Sequence, residues 1–493
     1  MTNHFRTHHK VLIFTVIIIC TLIYTFDMQA QSRFLSSRNA AMAGGGVSYV
    51  TGFEANFINP ANLMLRQGRR TKNQIGLASL NVSLQSSLLD IPKYNETFTT
   101  GRVIGVEETA DYFGSYEDSQ TTGFQIDAVP IGYAGTFEKF AISAAFRGRQ
   151  LTNFNFNRGL GELALLNLNP DAFSTARPVN FGLLTTTFGE FSVGFAMPVW
   201  NGEFKGKRIE VFAGIAPKLI VGANFARVDL NSTLRVDPIT NQNPEIQHDF
   251  SYSYMTSFAT LNADIERYIS DRNSLGNDIS LGDYVDDFEA GDLSANAMGF
   301  GLDLGLTAKI DLDEKQSLTL GFSITDIGSI TFSEGVSEFG ASDVFSFRGF
   351  DYTSLTDNDD YLEQFSDSLS NDIYGIQNLN GTSFGYALPT LTSLAVTYQR
   401  SNSLMLSMDL MLGANNSGMN SKNLAMALGV EYRPLRWLPL RGGVRMGGVS
   451  FSNVLSFGTG FEFKNVELTF AFMNVQSLKG YVATAFSGLI FRF

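Results

Sequence analysis

The last thirteen residues, Tyr481 to Phe493 (YVATAFSGLIFRF), constrain the fold more than any other stretch. Counting back from Phe493, every second position is Phe491, Leu489, Ser487, Ala485, Ala483 and Tyr481. That row is apolar or small, with aromatics at both ends. The intervening row holds Arg492, Gly488 and Thr484, but also Ile490, Phe486 and Val482. A repeat of two belongs to a strand. An apolar face ending in aromatics is what a lipid-facing barrel strand needs. The expectation is a strand that closes a membrane β-barrel by pairing with the first one, its first row toward lipid and its second toward the lumen. The competing expectation is a buried strand of a soluble sandwich.

Composition favours the barrel. Hydrophobic residues make up 44% of the chain and the mean hydropathy is only +0.02. Past the N-terminus no run of about 18 apolar residues could span as a helix. Yet Phe (43) and Gly (47) are abundant while Trp, Pro and Cys are scarce. Phe and Gly interleaved with Ser, Thr and Asn suit strands with lipid on one side and a polar lumen on the other.

Residues 1–30 read as an export signal. His4, Arg6, His8, His9 and Lys10 form a basic start, and Val11 to Tyr24 is an almost unbroken apolar core. Cys20 follows Ile17, Ile18 and Ile19, whereas a lipoprotein signal wants small residues there, so Cys20 belongs to the apolar core. Cleavage after Ala30 removes the only Cys and leaves His248 as the only His. It also makes the chain slightly more acidic than its formal −13. An acidic chain argues against a nucleic-acid partner.

Residues 31–70 differ from the rest. Ala40 to Ala43 lead into Gly44-Gly45-Gly46, and a polar stretch runs on to Asn59-Pro60-Ala61. Asn59 suits a helix cap and Pro60 a first turn. Phe53, Phe57, Ile58 and Leu63 argue against a disordered leader. A compact small-residue segment of this kind suits a plug inside a barrel.

The stretch Met42 to Val47 followed by Asn59-Pro60-Ala61 resembles the start of FadL-type outer-membrane proteins. It also resembles PorV-like barrels of Bacteroidota. Thr325-Asp326-Ile327-Gly328-Ser329-Ile330 and Leu388-Pro389-Thr390 look similar to other barrels of that group. The ending Gly488-Leu489-Ile490-Phe491-Arg492-Phe493 is similar to the signal read by the barrel-assembly machinery, carried by Gly488, Phe491 and Phe493. The FadL resemblance implies a bacterial outer-membrane location and fourteen strands. It also implies a luminal plug in which Gly44, Gly45, Gly46, Asn59, Pro60 and Ala61 take part in gating, and passage of hydrophobic small molecules. The PorV resemblance implies a barrel that transports nothing and scaffolds a cell-surface or secretion complex.

Beyond residue 70 the chain reads as an all-β, transmembrane antiparallel barrel over 71–493. Strands flank short turns at Glu138-Lys139, Gly189-Glu190, Asp311 to Glu314, Arg400 to Asn402, and Lys464-Asn465. YRPLRWLPLR (432–441) reads as a turn with Trp437 at the membrane interface. Counted this way the ladder has sixteen candidate strands. The doubtful pair lies between Phe191 and Gly214, and 231–259 reads as a hairpin standing above the rim. Pro130 and Pro198 weaken their strands locally. Long segments near 85–121, 151–177, 261–296 and 328–387 fall on one side, as extracellular loops do.

Those loops carry acidic clusters at Asp283 to Glu289 and Asp357 to Asp360. Neither has EF-hand spacing, so they read as solvated and no metal is expected. Tyr361, Leu362, Phe365 and Leu369 recur at helical spacing and suggest an amphipathic perch for a hydrophobic ligand at the barrel mouth. With one His, no Cys and no nucleophile elbow, an enzyme is not indicated. Gly44-Gly45-Gly46 lacks the Gly-Lys-Ser/Thr of a phosphate loop. No cofactor is implied. The expected partners are outer-membrane lipid, the assembly machinery, and either hydrophobic small molecules or a surface complex.

Overall fold

The computed structural model describes residues 33–65, 72–86, 95–97, 99–101, 105–114, 119–237, 245–275, 279, 281–284, 295–347, 374–447, 454–474 and 480–493. The expected export signal, the acidic clusters at 285–289 and 357–360, and the perch Tyr361, Leu362, Phe365 and Leu369 lie outside these residues.

Fourteen strands form a closed antiparallel wall. They are β1 Asn73–Ser86, β2 Ser119–Thr136, β3 Ala141–Asn157, β4 Phe181–Phe204, β5 Lys207–Asp237, β6 Ala297–Asp311 and β7 Gln316–Phe332. Then follow β8 Leu391–Arg400, β9 Leu404–Gly413, β10 Ala425–Leu435, β11 Leu438–Gly447, β12 Val454–Glu462, β13 Val466–Met473 and β14, in two pieces, Gly480–Phe486 and Leu489–Arg492. The closing pair is β14 on β1, with Phe486 opposite Leu80 and Arg492 opposite Gln74. Phe493 donates to and accepts from Asn73 at 3.1 and 3.0 Å, so the seam is hydrogen-bonded to the last residue.

Fourteen is the number the FadL resemblance implies, and the ladder of sixteen candidates is reduced to it at two places. Gly189-Glu190 is no turn: β4 runs through it, pairing Gly189 with Gly148 and Glu190 with Arg147. Lys205–Gly214 and Lys218–Leu234 are likewise one strand, β5, reached by the tight turn at Lys205-Gly206. A Gly beside a charged residue reads as a turn, but Glu190 is an inward ion-pair member and Gly189 leaves room for the Phe146 ring. Pro130 and Pro198 do not end their strands either. Both sit where the register shifts, between Ala128 and Ile131 and between Pro198 and Trp200. A bulge is where a missing N–H does least harm.

The facing of the last strand is also corrected. Leu489, Phe491 and Phe493 point outward as expected, but Ala483, Ala485 and Ser487 are buried and Phe486 is exposed. Gly488, at φ +61°, interrupts the pleat beside Ala78 of β1, at φ +58°, and flips the alternation in both strands together. The lumen-facing row above Gly488 is therefore the small Ala483, Ala485 and Ser487 rather than Val482 and Phe486, while Ile490 beyond Gly488 is buried on the lumen side as expected.

Between such interruptions the alternation is regular. In β4, Phe191, Val193, Phe195 and Met197 are exposed while Ser192 and Ala196 are buried. The exposed apolar rows give the outer surface a hydrocarbon-compatible band. Near the short turns it carries aromatics: Phe137 stacks on Phe140 at 4.8 Å, and Trp437 on Phe461 at 5.8 Å. On the opposite end, β5 outgrows the wall. Its upper part pairs with the strand Glu245–Thr256, which pairs with Ser337–Phe347, making a three-stranded sheet above the rim. That is the hairpin expected at 231–259.

Candidate functional site

Residues 33–65 lie inside the barrel. Ser36 caps the short helix α1, Ser37–Ala41, by accepting from Asn39 N. Ala43, Gly44 and Gly46 then take positive φ values of 64°, 83° and 128°. This turn aims backbone N–H groups at the wall: Gly46 and Val47 donate to Asp409 Oδ1 of β9 at 2.9 and 3.0 Å. A Cβ on Gly45 would lie 2.4 Å from the same carboxylate, so only glycine fits. Further on, Asn59 caps the 3-10 turn Pro60–Met64 through Ala61 N, and its amide reaches Val47 O and Thr307. All six residues singled out in this segment are thus in the lumen, and Asn59, Pro60 and Ala61 are buried against β5 and β6.

The wall receives the segment through glycines. A Cβ at Gly214 would meet Ala61 N at 2.3 Å, and one at Gly321 would meet Val47 O at 2.4 Å. Gly76 and Gly132 leave room for the Phe53 ring, which is fully buried. Arg38 of α1 pairs with Glu431 of β10 at 3.1 Å, and Arg433 and Arg441 join Glu431 to Glu462.

Above the segment runs a buried ionic belt drawn from six neighbouring strands, β2 to β7. Arg147 contacts Asp127 at 2.6 Å and Glu190 at 3.2 Å. Arg149 contacts Glu190 at 3.2 Å and Asp326 at 3.0 Å. Lys218 lies 2.8 Å from Asp303 and 2.5 Å from Asp326. Arg147 also covers the Phe34 and Phe57 rings, at 5.1 and 5.2 Å, tying the belt to the segment below. Asp326 enters the belt because β7 kinks there, at φ +56°, with its N–H on Asp303. The kink faces Leu388-Pro389-Thr390: Leu388 N donates to Gly328 O and Thr390 Oγ1 to Asp326 O. Two motifs far apart in sequence are one wall feature.

Higher still the lumen turns apolar. Phe225 stacks on Phe384 at 4.3 Å and packs on Phe332 at 4.8 Å, with Phe188, Ile330 and Tyr386 beside them. The loop 414–424 folds inward across this level. It starts at the β8–β9 wall, where Asn415 and Asn420 donate to Leu388 O and Thr390 O at 2.7 Å. Its tip reaches the facing wall, where Asn153 of β3 donates to Gly418 O and Met419 packs over Gly123 of β2, before the chain returns to β9 at Ser421. Met419 also joins Leu35, Ala40 and Ala41 in one cluster. The lumen is thus crossed from below and from above.

Outside, the helices Arg158–Leu166 and Pro170–Phe173 lean on the three-stranded sheet through Leu160, Leu163, Phe173, Val179 and Leu234. Between them and the sheet opens a cleft of about 360 Å³, lined by Leu163, Leu168, Leu234, Ile246, Phe345 and Phe347, with His248 and Tyr374 at one side. Such a volume is on the scale of small-molecule sites, roughly 300–1,000 Å³.

Sequence reasoning did not find the belt, the inward loop or the cleft. The belt had a signal: single charges at every second place within apolar strands, as at Arg147, Arg149, Glu190 and Lys218. The loop and cleft had none, because each depends on which strands become neighbours. Gly488, Phe491 and Phe493 sit at the seam, Gly488 at the pleat reversal and the two Phe on the outer face.

A closed, lipid-faced antiparallel barrel with its own N-terminal segment in the lumen defines an integral β-barrel membrane protein. The chain belongs to a family of unknown function (DUF5723), whose profile matches residues 65–473. No curated protein matches the sequence. Among solved structures it is similar to the Ralstonia pickettii toluene transporter TbuX, at 13% identity over 94% of this chain and 99% of that one, TM-score 0.44. It is similar also to the P. putida toluene transporter TodX (13%, 93% and 97%, 0.41). A Pseudomonas aeruginosa FadL homologue is similar at 11% identity over 95% and 98%, TM-score 0.37.

Proposed function

We propose that the protein is an outer-membrane channel that captures small hydrophobic molecules at its outer mouth and passes them through a gated lumen. The apolar cleft of about 360 Å³ above the rim carries this reading. Carbon-lined concave sites of that size bind apolar solutes rather than ions. The lumen supports gating over free diffusion. A porin needs a water-filled bore, whereas here segment 33–65, the ionic belt and loop 414–424 occupy it. Passage then requires the segment to shift at its hinge-like Gly44-Gly45-Gly46 turn and at the Asn59-Pro60-Ala61 anchor. In the same reading residues 1–30 direct export, and Gly488, Phe491 and Phe493 present the closing strand to the assembly machinery.

The test is uptake of a fluorescent apolar probe into liposomes holding the full chain. Uptake above protein-free liposomes is expected, reduced when Leu234→Glu places a charge in the cleft. A protein that moves no probe, or whose uptake ignores Leu234→Glu, sinks the proposal.

A further inference from the structure

Among the described residues the outer cleft is walled by carbon except at one place. Ser232, which also borders it, spends its hydroxyl on Val179 O at 3.0 Å. The exception is the pair His248 and Tyr374, with Nδ1 of the imidazole 2.9 Å from the phenol oxygen. This pair is held rigidly. Tyr252 donates to Tyr374 O at 2.7 Å, and the Tyr374 ring stacks on Phe250 at 4.6 Å. The imidazole stacks on Phe250 as well, at 5.1 Å and 27°. Nε2 makes no hydrogen bond among the described residues.

We propose that His248, oriented by Tyr374, is the specificity-determining residue of the cleft, selecting compact apolar molecules that carry one uncharged hydroxyl, such as phenols. The inference rests on the reading of the cleft as a capture site. A neutral imidazole offers Nε2 as donor when Nδ1 accepts the Tyr374 proton, and as acceptor when Nδ1 donates. A hydroxyl is both donor and acceptor and suits either tautomer, whereas a carbonyl suits only one. Burial lowers the His248 pKa, against a smaller opposing effect of Asp249, which keeps the ring neutral and offers no charge to a carboxylate. The walls at Phe345, Phe347 and Tyr374 offer ring faces to a flat ligand.

Equilibrium binding of 1-naphthol and of naphthalene to full-chain proteoliposomes, corrected against protein-free liposomes, tests the assignment. One net hydrogen bond corresponds to about fivefold, so 1-naphthol is expected to bind about fivefold more tightly than naphthalene. His248→Leu is expected to abolish or reverse that preference while naphthalene affinity stays within about twofold, which also reports that the cleft is intact. His248→Gln, whose amide both donates and accepts, is expected to restore part of the preference. An unchanged ratio in His248→Leu, or equal binding of both probes by the natural protein, overturns the assignment alone. Binding of neither probe overturns the capture reading and the assignment with it.

Discussion

Arg149 and Lys218 are the two cations of the belt that each meet three carboxylates. Asp127, Glu190 and Asp326 lie within 3.4 Å of the Arg149 guanidinium, and the Arg149 side chain is fully buried. Removing one member of a buried network leaves the others charged and unpaired, at a cost of about 3–5 kcal/mol. Arg149→Met is therefore expected to lower the unfolding free energy extrapolated from denaturant titration by about 3–5 kcal/mol, while exchange of an exposed pair such as Arg227–Asp229 changes little. Glu54 of the luminal segment makes a different prediction. Burial, then the nearby Glu467, pushes its carboxyl up to about 8, with Ser36, Ser487 and Arg492 opposing. Its folded-state value lies above the unfolded one of 4.5, so its contribution is fully present below pH 4.5 and is lost as pH rises toward 8. Glu54→Gln removes that dependence. The variant and the natural protein are expected to have similar denaturation midpoints at pH 4, and the variant the higher one at pH 9.

At the scale of elements, the strands are shaped by what they hold. The wall glycines are sockets, and a side chain there displaces backbone rather than a flexible tip. Gly214→Leu would drive into Ala61 N and the carbonyl carbon of Pro60. The expected result is a barrel that still forms but holds segment 33–65 loosely, seen as faster amide exchange across that segment and raised ion conductance in planar bilayers. A conductance equal to that of the natural protein would argue that the segment does not close the lumen. Met419 does the corresponding work for the inward loop. Met419→Gly removes its packing on Gly123 and on the Leu35 cluster and is expected to cost about 2–5 kcal/mol of local stability. Faster proteolysis within 414–424 would show it. The elements also show what sequence could and could not report. Strand existence was legible, because alternation is local. Strand length was not, because Gly189-Glu190 has turn chemistry and the buried Glu is explained only by the Arg147 and Arg149 side chains of the facing strand.

For the molecule as a whole, closure is the organising fact. Every wall strand has two neighbours, and the last residue is bonded to the first strand. A closed sheet has no edge to expose in lipid, where an unpaired backbone group costs several kcal/mol. Such barrels resist unfolding by detergent until heated, so faster migration of the unheated full chain on a detergent gel is expected, and a soluble fraction would contradict the fold. The sequence by itself determined the all-β class, the antiparallel barrel and the alternation along its strands. All of these are local periodicities or compositions. Only the tertiary structure decided where the long strands β4 and β5 run, the reversal of facing at Gly488, the ionic belt, the inward loop and the outer cleft. The physical reason is that each of these is a meeting of residues tens to hundreds of positions apart, as Asp409 meets Gly46, and no local pattern records a partner. The closing stretch Tyr481 to Phe493 shows both halves: its strand character was written in its alternation, but which of its residues faced the lipid depended on the pleat reversal that Gly488 shares with Ala78.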